Sequence, residues 1–218
     1  MKPAPFDYVV AESPQHAVSA LASYQGDARI LAGGQSLVPM LNMRLLRPAA
    51  VVDVNRIEGL GGITEAEGEV RVGAMARYAS LEFSPQVRER LPLLAEAVTY
   101  VGDRQVRNRG TLGGSLAQAD PSGEMPLVAL ALGATVTVLG PSGSRAVPAR
   151  ELFLGPYQTS LEPDEMITEV AFPAGPEVVG ALVEHVRRHG DFAVLAVAAV
   201  GEPDGDGTWR SVRVWSSL

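Results

Sequence analysis

Arg29-Ile30-Leu31-Ala32 runs straight into Gly33-Gly34-Gln35-Ser36, and Leu37 to Leu46 follows. The first four residues read as a short apolar strand. The glycines read as a turn, and the ten residues after it have a helical look that Pro48 ends. Upstream, Ser13 and Pro14 mark a helix start, with Ser as N-cap and Pro at the first helical position. Ala17, Leu21 and Tyr24 carry its apolar stripe, and Gly26 fits its C-cap. Downstream, Ala50-Val51-Val52-Asp53-Val54 is a second buried strand. This β–loop–α–β order is a small α/β unit.

Glycines between a strand and a helix let the backbone approach a ligand and adopt positive φ. The loop N–H groups then point outward and carry partial positive charge, which suits a phosphate or pyrophosphate. Ser36 adds a hydroxyl donor. A tight turn that needs glycine only for its shape fits the same residues. The pattern recurs at Gly110-Thr111-Leu112-Gly113-Gly114-Ser115. There Arg104, Arg107 and Arg109 come just before it. These arginines neutralise phosphate, face an acidic partner, or line a solvated loop. Two such loops in one chain point to a two-phosphate ligand. Neither loop matches GxGxxG after a first strand or GxxxxGK[ST], so a Rossmann site and a P-loop are excluded.

The rest of the chain is mixed. Glu69 to Gly73 alternates like a half-exposed strand. Ser80 to Ala97 is helical in pieces divided by Pro85 and Pro92. Met125 to Leu132 reads as a buried helix, and Thr135 to Leu139 as a strand turning at Gly140–Gly143 into Arg145–Pro148. Ala149 to Leu152 starts a short helix and Ile167 to Phe172 is a strand. Ala181–Arg188, Ala193–Val200 and Arg210–Val214 read as three strands, whose sheet has an apolar face with no helix to cover it.

Composition narrows the function classes. The 218 residues are 46% hydrophobic and 20% charged, which excludes disorder and coiled coil. With 23 Gly and 16 Pro the chain turns too often for a helical bundle. A net charge of −7 and 6% aromatics make a poor nucleic-acid binder. No apolar stretch is long enough to span a bilayer. No secretory signal is seen, so a cytoplasmic location is expected. The chain has no cysteine, which excludes thiol nucleophiles, Cys-ligated zinc and iron–sulfur clusters within it. His16, His185 and His189 form no metal pattern. His185 and His189 read as a solvated pair.

Four ordered blocks resemble one family. Ala32-Gly33-Gly34-Gln35-Ser36-Leu37-Val38-Pro39, with Arg44 and Val51-Val52-Asp53-Val54, is similar to the first flavin loop of the FAD-binding medium subunits of molybdenum hydroxylases. That group includes carbon monoxide dehydrogenase medium subunits and the flavin domain of xanthine dehydrogenase. Arg107 to Ala117, then Ala119-Asp120-Pro121 and Glu124-Met125-Pro126, is similar to the second loop. Leu161 to Ile167 and Arg187 to Ala193 resemble two later family stretches.

The resemblance implies an α+β architecture, the FAD-binding fold of the vanillyl-alcohol-oxidase type. Two α/β subdomains, residues 1–57 and 58–174, would grip FAD, with a shortened C-terminal α+β domain at 175–218. Ala32, Gly33, Gly34, Gln35, Ser36 and Leu37, with Thr111, Gly113, Gly114 and Ser115, would wrap the pyrophosphate and ribityl chain. Amides and hydroxyls would both serve. Gln118, Asp120 and Glu124 match positions near ribityl, adenosine and loop contacts. Leu161 matches an apolar position beside the flavin. Phe192 matches a position near the isoalloxazine ring, where plain core packing is the other reading. The implied partners are a molybdopterin-binding large subunit and a 2Fe-2S small subunit. The implied role is electron transfer from the iron–sulfur subunit to a terminal acceptor. Cofactor chemistry needs no acid–base residue of catalytic rank here, and Asp120 and Glu124 read as ligand or cap residues. A flavin-free assembly protein that keeps the fold is the alternative.

Overall fold

The structure is a computed structural model that describes residues 2–174, 179–188 and 190–217. His189 lies outside the described residues, so its expected pairing with His185 is not described.

The first unit is β1 (Asp7–Val10), α1 (Pro14–Ser23), β2 (Ala28–Leu31), α2 (Leu37–Asn42) and β3 (Ala50–Asp53). β3 lies between β1 and β2 and pairs parallel with both. Its central place explains why Ala50-Val51-Val52 is an unbroken apolar run, since a parallel strand is covered on both faces. β1 was not expected. Its first two residues, Asp7 and Tyr8, are exposed, so no apolar alternation betrays it.

α1 begins as expected. Ser13 Oγ accepts from the His16 amide at 3.1 Å, and Pro14 occupies the first turn. Ala17, Val18 and Leu21 are its buried face. It ends at Ser23, earlier than a cap at Gly26 requires. Gln25 and Gly26 share the reversal with φ values of 50° and 93°. α2 also stops early, at Asn42. Arg44 adopts φ 60°, and this left-handed residue turns the chain before Pro48 can.

The second unit contains β4 (Ile63–Ala66), β5 (Glu69–Gly73), α3 (Tyr78–Phe83), α4 (Pro85–Arg90), α5 (Pro92–Tyr100), α6 (Arg104–Arg109), α7 (Leu112–Gln118), α8 (Glu124–Ala131), β6 (Thr135–Gly140), β7 (Gly143–Pro148), α9 (Ala149–Leu152), β8 (Phe153–Gly155), β9 (Gln158–Thr159) and β10 (Met166–Pro173). Five strands form an antiparallel sheet in the order β4-β5-β10-β6-β7. Pro85 and Pro92 each open a helix, where a missing N–H leaves no bond unmade. α8 is buried almost all round, through Met125, Leu127, Val128, Ala129 and Ala131. The arginine-rich stretch is a helix, α6, and not a loop. Asp103 caps it, its carboxylate accepting from the Val106 amide at 2.8 Å.

The last unit is an antiparallel sheet of β11 (Val179–His185), β12 (Leu195–Pro203) and β13 (Trp209–Ser216). The expectation of an uncovered face holds for one side only. Leu182, Ala196, Ala198 and Val200 join the large core that α5 and α8 also fill. On the other side Val183, Leu195, Val212 and Val214 are exposed. A separate, smaller core lies under the first unit. It holds Ala17, Leu21, Val52 and Ile57, and Met166 reaches into it from β10.

Candidate functional site

The two glycine loops meet. The first leaves the carboxyl end of β2 and the second connects α6 to α7. A Cβ placed on Gly33 would fall 2.3 Å from the Arg109 carbonyl oxygen and 2.9 Å from the Gly110 Cα. A Cβ on Gly114 would lie 3.7 Å from that of Ala32. Glycine at these positions is a condition of the close approach. Gly34 adds a φ of 73°.

The loops differ in what they offer. Among the described residues, the amides of Gly33, Gly34, Gln35, Ser36 and Leu37 donate to no protein group. Ser36 precedes α2 without using its hydroxyl as a cap. Five successive free amides and a free hydroxyl are a donor set of the kind that suits an anion. The second loop is different, because its amides are satisfied. Leu112 and Gly113 donate to the Ala76 and Ala74 carbonyls at 3.1 and 2.9 Å. Gly114 donates to Thr111 Oγ1 at 3.2 Å, and Ser115 to the Thr111 carbonyl at 3.1 Å. This loop therefore presents close-packed backbone rather than free N–H groups, and the Thr111 hydroxyl is buried against the Gly114 amide. Its docking is fixed from below by Gly113 on Ala74 and by Gly110 on the Tyr78 ring.

Residues 32–37, 111–115 and Gln118 come together. Gln118 Nε2 lies 3.9 Å from Met40 Sδ, which joins the end of α7 to α2. Asp120 sits just beyond. Its carboxylate accepts from the Ser122 amide and hydroxyl at 3.0 and 2.7 Å, an Asx turn. The β8–β9 hairpin docks beside it, with the Tyr157 amide donating to the Ala119 carbonyl at 2.8 Å. Partial burial and the Asp120 carboxylate push the Tyr157 phenol up. Glu124 is the first residue of α8 and is buried. Burial pushes its carboxyl up to about 7; Glu184 and Asp120 add to that, and its own backbone amide opposes it. Burial likewise pushes the Tyr78 phenol up, with the Ser115 hydroxyl opposing and Glu124 adding.

Among the described residues no hydrogen bond joins Leu161 or Phe192 to this group. Leu161 is half-buried against the large core, its amide 3.4 Å from Thr159 Oγ1. Phe192 is 71% exposed in the turn between β11 and β12, which excludes core packing for it. Arg107 is not directed at a ligand. It pairs with Glu82 at 2.9 Å and donates to the Val101 and Gly102 carbonyls.

Sequence reading missed Asn55 and Arg77. Asn55 Nδ2 donates to the Leu31 and Ala32 carbonyls at 3.2 and 2.9 Å, and to Asp53 Oδ1. Arg77 donates through one guanidinium nitrogen to Asn55 Oδ1 at 2.6 Å, and through the other to the Arg109 carbonyl. Partial burial and the like charge of Arg109 lower the Arg77 pKa. One signal could have found Asn55: it is the polar residue just past the carboxyl end of a parallel strand, where open α/β sheets place ligands. Arg77 sits in no motif. Among the described residues no group of His, Asp and Glu has the arrangement of a metal site, and no helix is long and apolar enough to cross a membrane.

The family described as the FAD binding domain in molybdopterin dehydrogenase matches residues 4–175. The chain is 45% identical over 98% of its length to subunit alpha of the 6-hydroxypseudooxynicotine dehydrogenase complex of Paenarthrobacter nicotinovorans, covering 73% of that protein. It is 42% identical, again over 98% of its length, to the carbon monoxide dehydrogenase medium chain of Hydrogenophaga pseudoflava, covering 75% of it. Among solved structures, carbon monoxide dehydrogenase from that organism, lacking the Mo-pyranopterin moiety, superposes with a TM-score of 0.96 at 41% identity. The match covers 100% of this chain and 76% of the other. Quinoline 2-oxidoreductase from Pseudomonas putida 86 superposes with a TM-score of 0.94 at 38% identity, covering 99% and 75%.

Proposed function

The chain belongs to the family of FAD-binding domains of molybdopterin dehydrogenases, and from that premise we propose how it works. It is an FAD-binding medium subunit of the molybdenum hydroxylase type and a component of an oxidoreductase. Its role is to take electrons from a 2Fe-2S small subunit and pass them to a terminal acceptor. The substrate is oxidised elsewhere, on a molybdopterin-binding large subunit. The names of the relatives, a medium chain and a subunit of a complex, support those partners.

One observation carries the reading of the site: the run of five amides from Gly33 to Leu37 that have no protein acceptor among the described residues, backed by the second glycine loop. A dinucleotide's diphosphate fits that donor set, because each amide gains an acceptor that the protein does not supply. The bound flavin supplies the redox chemistry, taking electrons singly or in pairs. The chain's own residues bind and orient. The amides of residues 33–37 and the Ser36 hydroxyl would hold the diphosphate. Thr111, Ser115 and Gln118 would line the adjoining ribityl and adenosine stretch, with Asp120 and Glu124 at its end. Leu161 and Phe192 would offer apolar surface toward the ring.

The purified chain, incubated with FAD and gel-filtered, is expected to emerge yellow with one flavin per chain. A colourless protein after that treatment would sink the proposal.

A further inference from the structure

Asn55 and Arg77 form a brace between the two loops. Asn55 lies past the end of β3 and holds the carbonyls of Leu31 and Ala32, the last residues before the first glycine pair. Asp53 fixes Asn55 in turn, accepting from its amide at 2.8 Å and from its side chain at 2.6 Å. Tyr8 donates to the other oxygen of Asp53. Arg77 lies on the far unit, at the N-cap of α3. Its planar fork spans Asn55 Oδ1 and the Arg109 carbonyl. That carbonyl is the same oxygen against which Gly33 packs. The Arg109 carbonyl is thus where the loops touch, and Arg77 holds it in place.

We propose that Arg77 and Asn55 are positioning residues that set the spacing of the two glycine loops and so the affinity for a dinucleotide that spans both. This rests on the flavin reading above. A guanidinium suits the task because it reaches two acceptors at a fixed angle, which an ammonium does not. The brace lies at the surface, with Asn55 exposed and Arg77 half-buried. Hydrogen bonds so placed contribute little to overall stability. A large effect on ligand affinity without a matching loss of stability is therefore the mark of positioning.

The test is a double-mutant cycle on the 218-residue chain, with Arg77→Ala, Asn55→Ala and the pair. FAD affinity is read by flavin fluorescence titration, the melting temperature without FAD gives stability, and visible circular dichroism at saturating FAD reports the flavin environment. Each single change is expected to raise the FAD Kd by about tenfold or more, and the pair by no more than about twofold beyond the worse single. The ligand-free melting temperature should stay within about 3 °C of the parent, and the visible dichroism should change in both. Arg77→Lys should not restore affinity. Kd values within about twofold of the parent for both single variants, or losses that simply add in the pair, would overturn the brace while leaving the flavin reading intact. If Arg77→Ala does not fold, Asn55→Ala alone decides, since it leaves the bond from Arg77 to Arg109 in place. If the parent chain itself takes up no FAD, the flavin reading falls and the brace with it.

Discussion

Gly33 lies so close to Arg109 that a side chain on the first would strike the carbonyl of the second, at 2.3 Å from Cβ to oxygen. The obstacle is backbone, which has nowhere to go. Gly33→Ala should therefore force the loops apart, lowering stability by about 1–3 kcal/mol and FAD affinity by about a hundredfold or more. Gly114→Val, whose Cβ would stand 2.7 Å from Thr111 Oγ1, should also abolish flavin binding. Gly133→Ala is the control. Its φ is 67°, but a Cβ there meets nothing within 4 Å, so it should cost about 1 kcal/mol and leave affinity unchanged. Equal flavin content in Gly33→Ala and the parent would contradict the packing argument.

Glu124 makes stability depend on pH. In the folded chain it keeps its proton up to about 7, against an ordinary value of 4.5. Between those values the folded state binds more protons than the unfolded one. Stability from this group is thus fully present below 4.5 and is lost as pH rises through 7. Glutamine copies the neutral form. Glu124→Gln in the flavin-free chain should match the parent at pH 4 and exceed it at pH 8 by at most about 3 kcal/mol. Denaturant melts at both values check this; an advantage that does not change between them would refute the assignment.

Arg107 illustrates a cation bound to its own protein. The side chains of Arg107 and Glu82 keep only 17% and 20% of their surface. Arg107→Met leaves Glu82 and the Val101 and Gly102 carbonyls without their donor, at a cost of about 1–3 kcal/mol. The FAD Kd should move by less than about threefold. A thermal melt and a flavin titration separate the outcomes. Intact stability with lost affinity would instead make Arg107 a ligand residue.

Leu182 tests how the last sheet is attached. It is 3% exposed and belongs to the core shared with α5 and α8. Leu182→Ala should cost about 2–4 kcal/mol. Because the core is shared, calorimetry should show one transition moved to lower temperature. A second, separate transition would show that the sheet melts alone.

Much of the local structure was legible without coordinates. Ser13-Pro14, Pro85 and Pro92 mark helix starts by what their side chains and missing N–H groups permit. The unbroken apolar run of α8 could only be a buried element. The early ends of α1 and α2 were not legible, because Gln25 and Arg44 adopt positive φ, which their residue types do not announce. Exposed Asp7 and Tyr8 hid β1 in the same way.

By itself the sequence determined where the two glycine loops lie, and that each joins regular elements at a bend. Tertiary structure decided what the loops can do. Identical-looking glycine pairs differ because Ala74, Ala76 and Thr111 supply acceptors to the second loop's amides, while among the described residues no protein acceptor meets the amides of the first. A free N–H is a property of what fails to arrive from distant parts of the chain. So is the brace from Asn55 to Arg77, 22 positions apart in the chain and joined only once the fold brings the residue just past β3 to the start of α3.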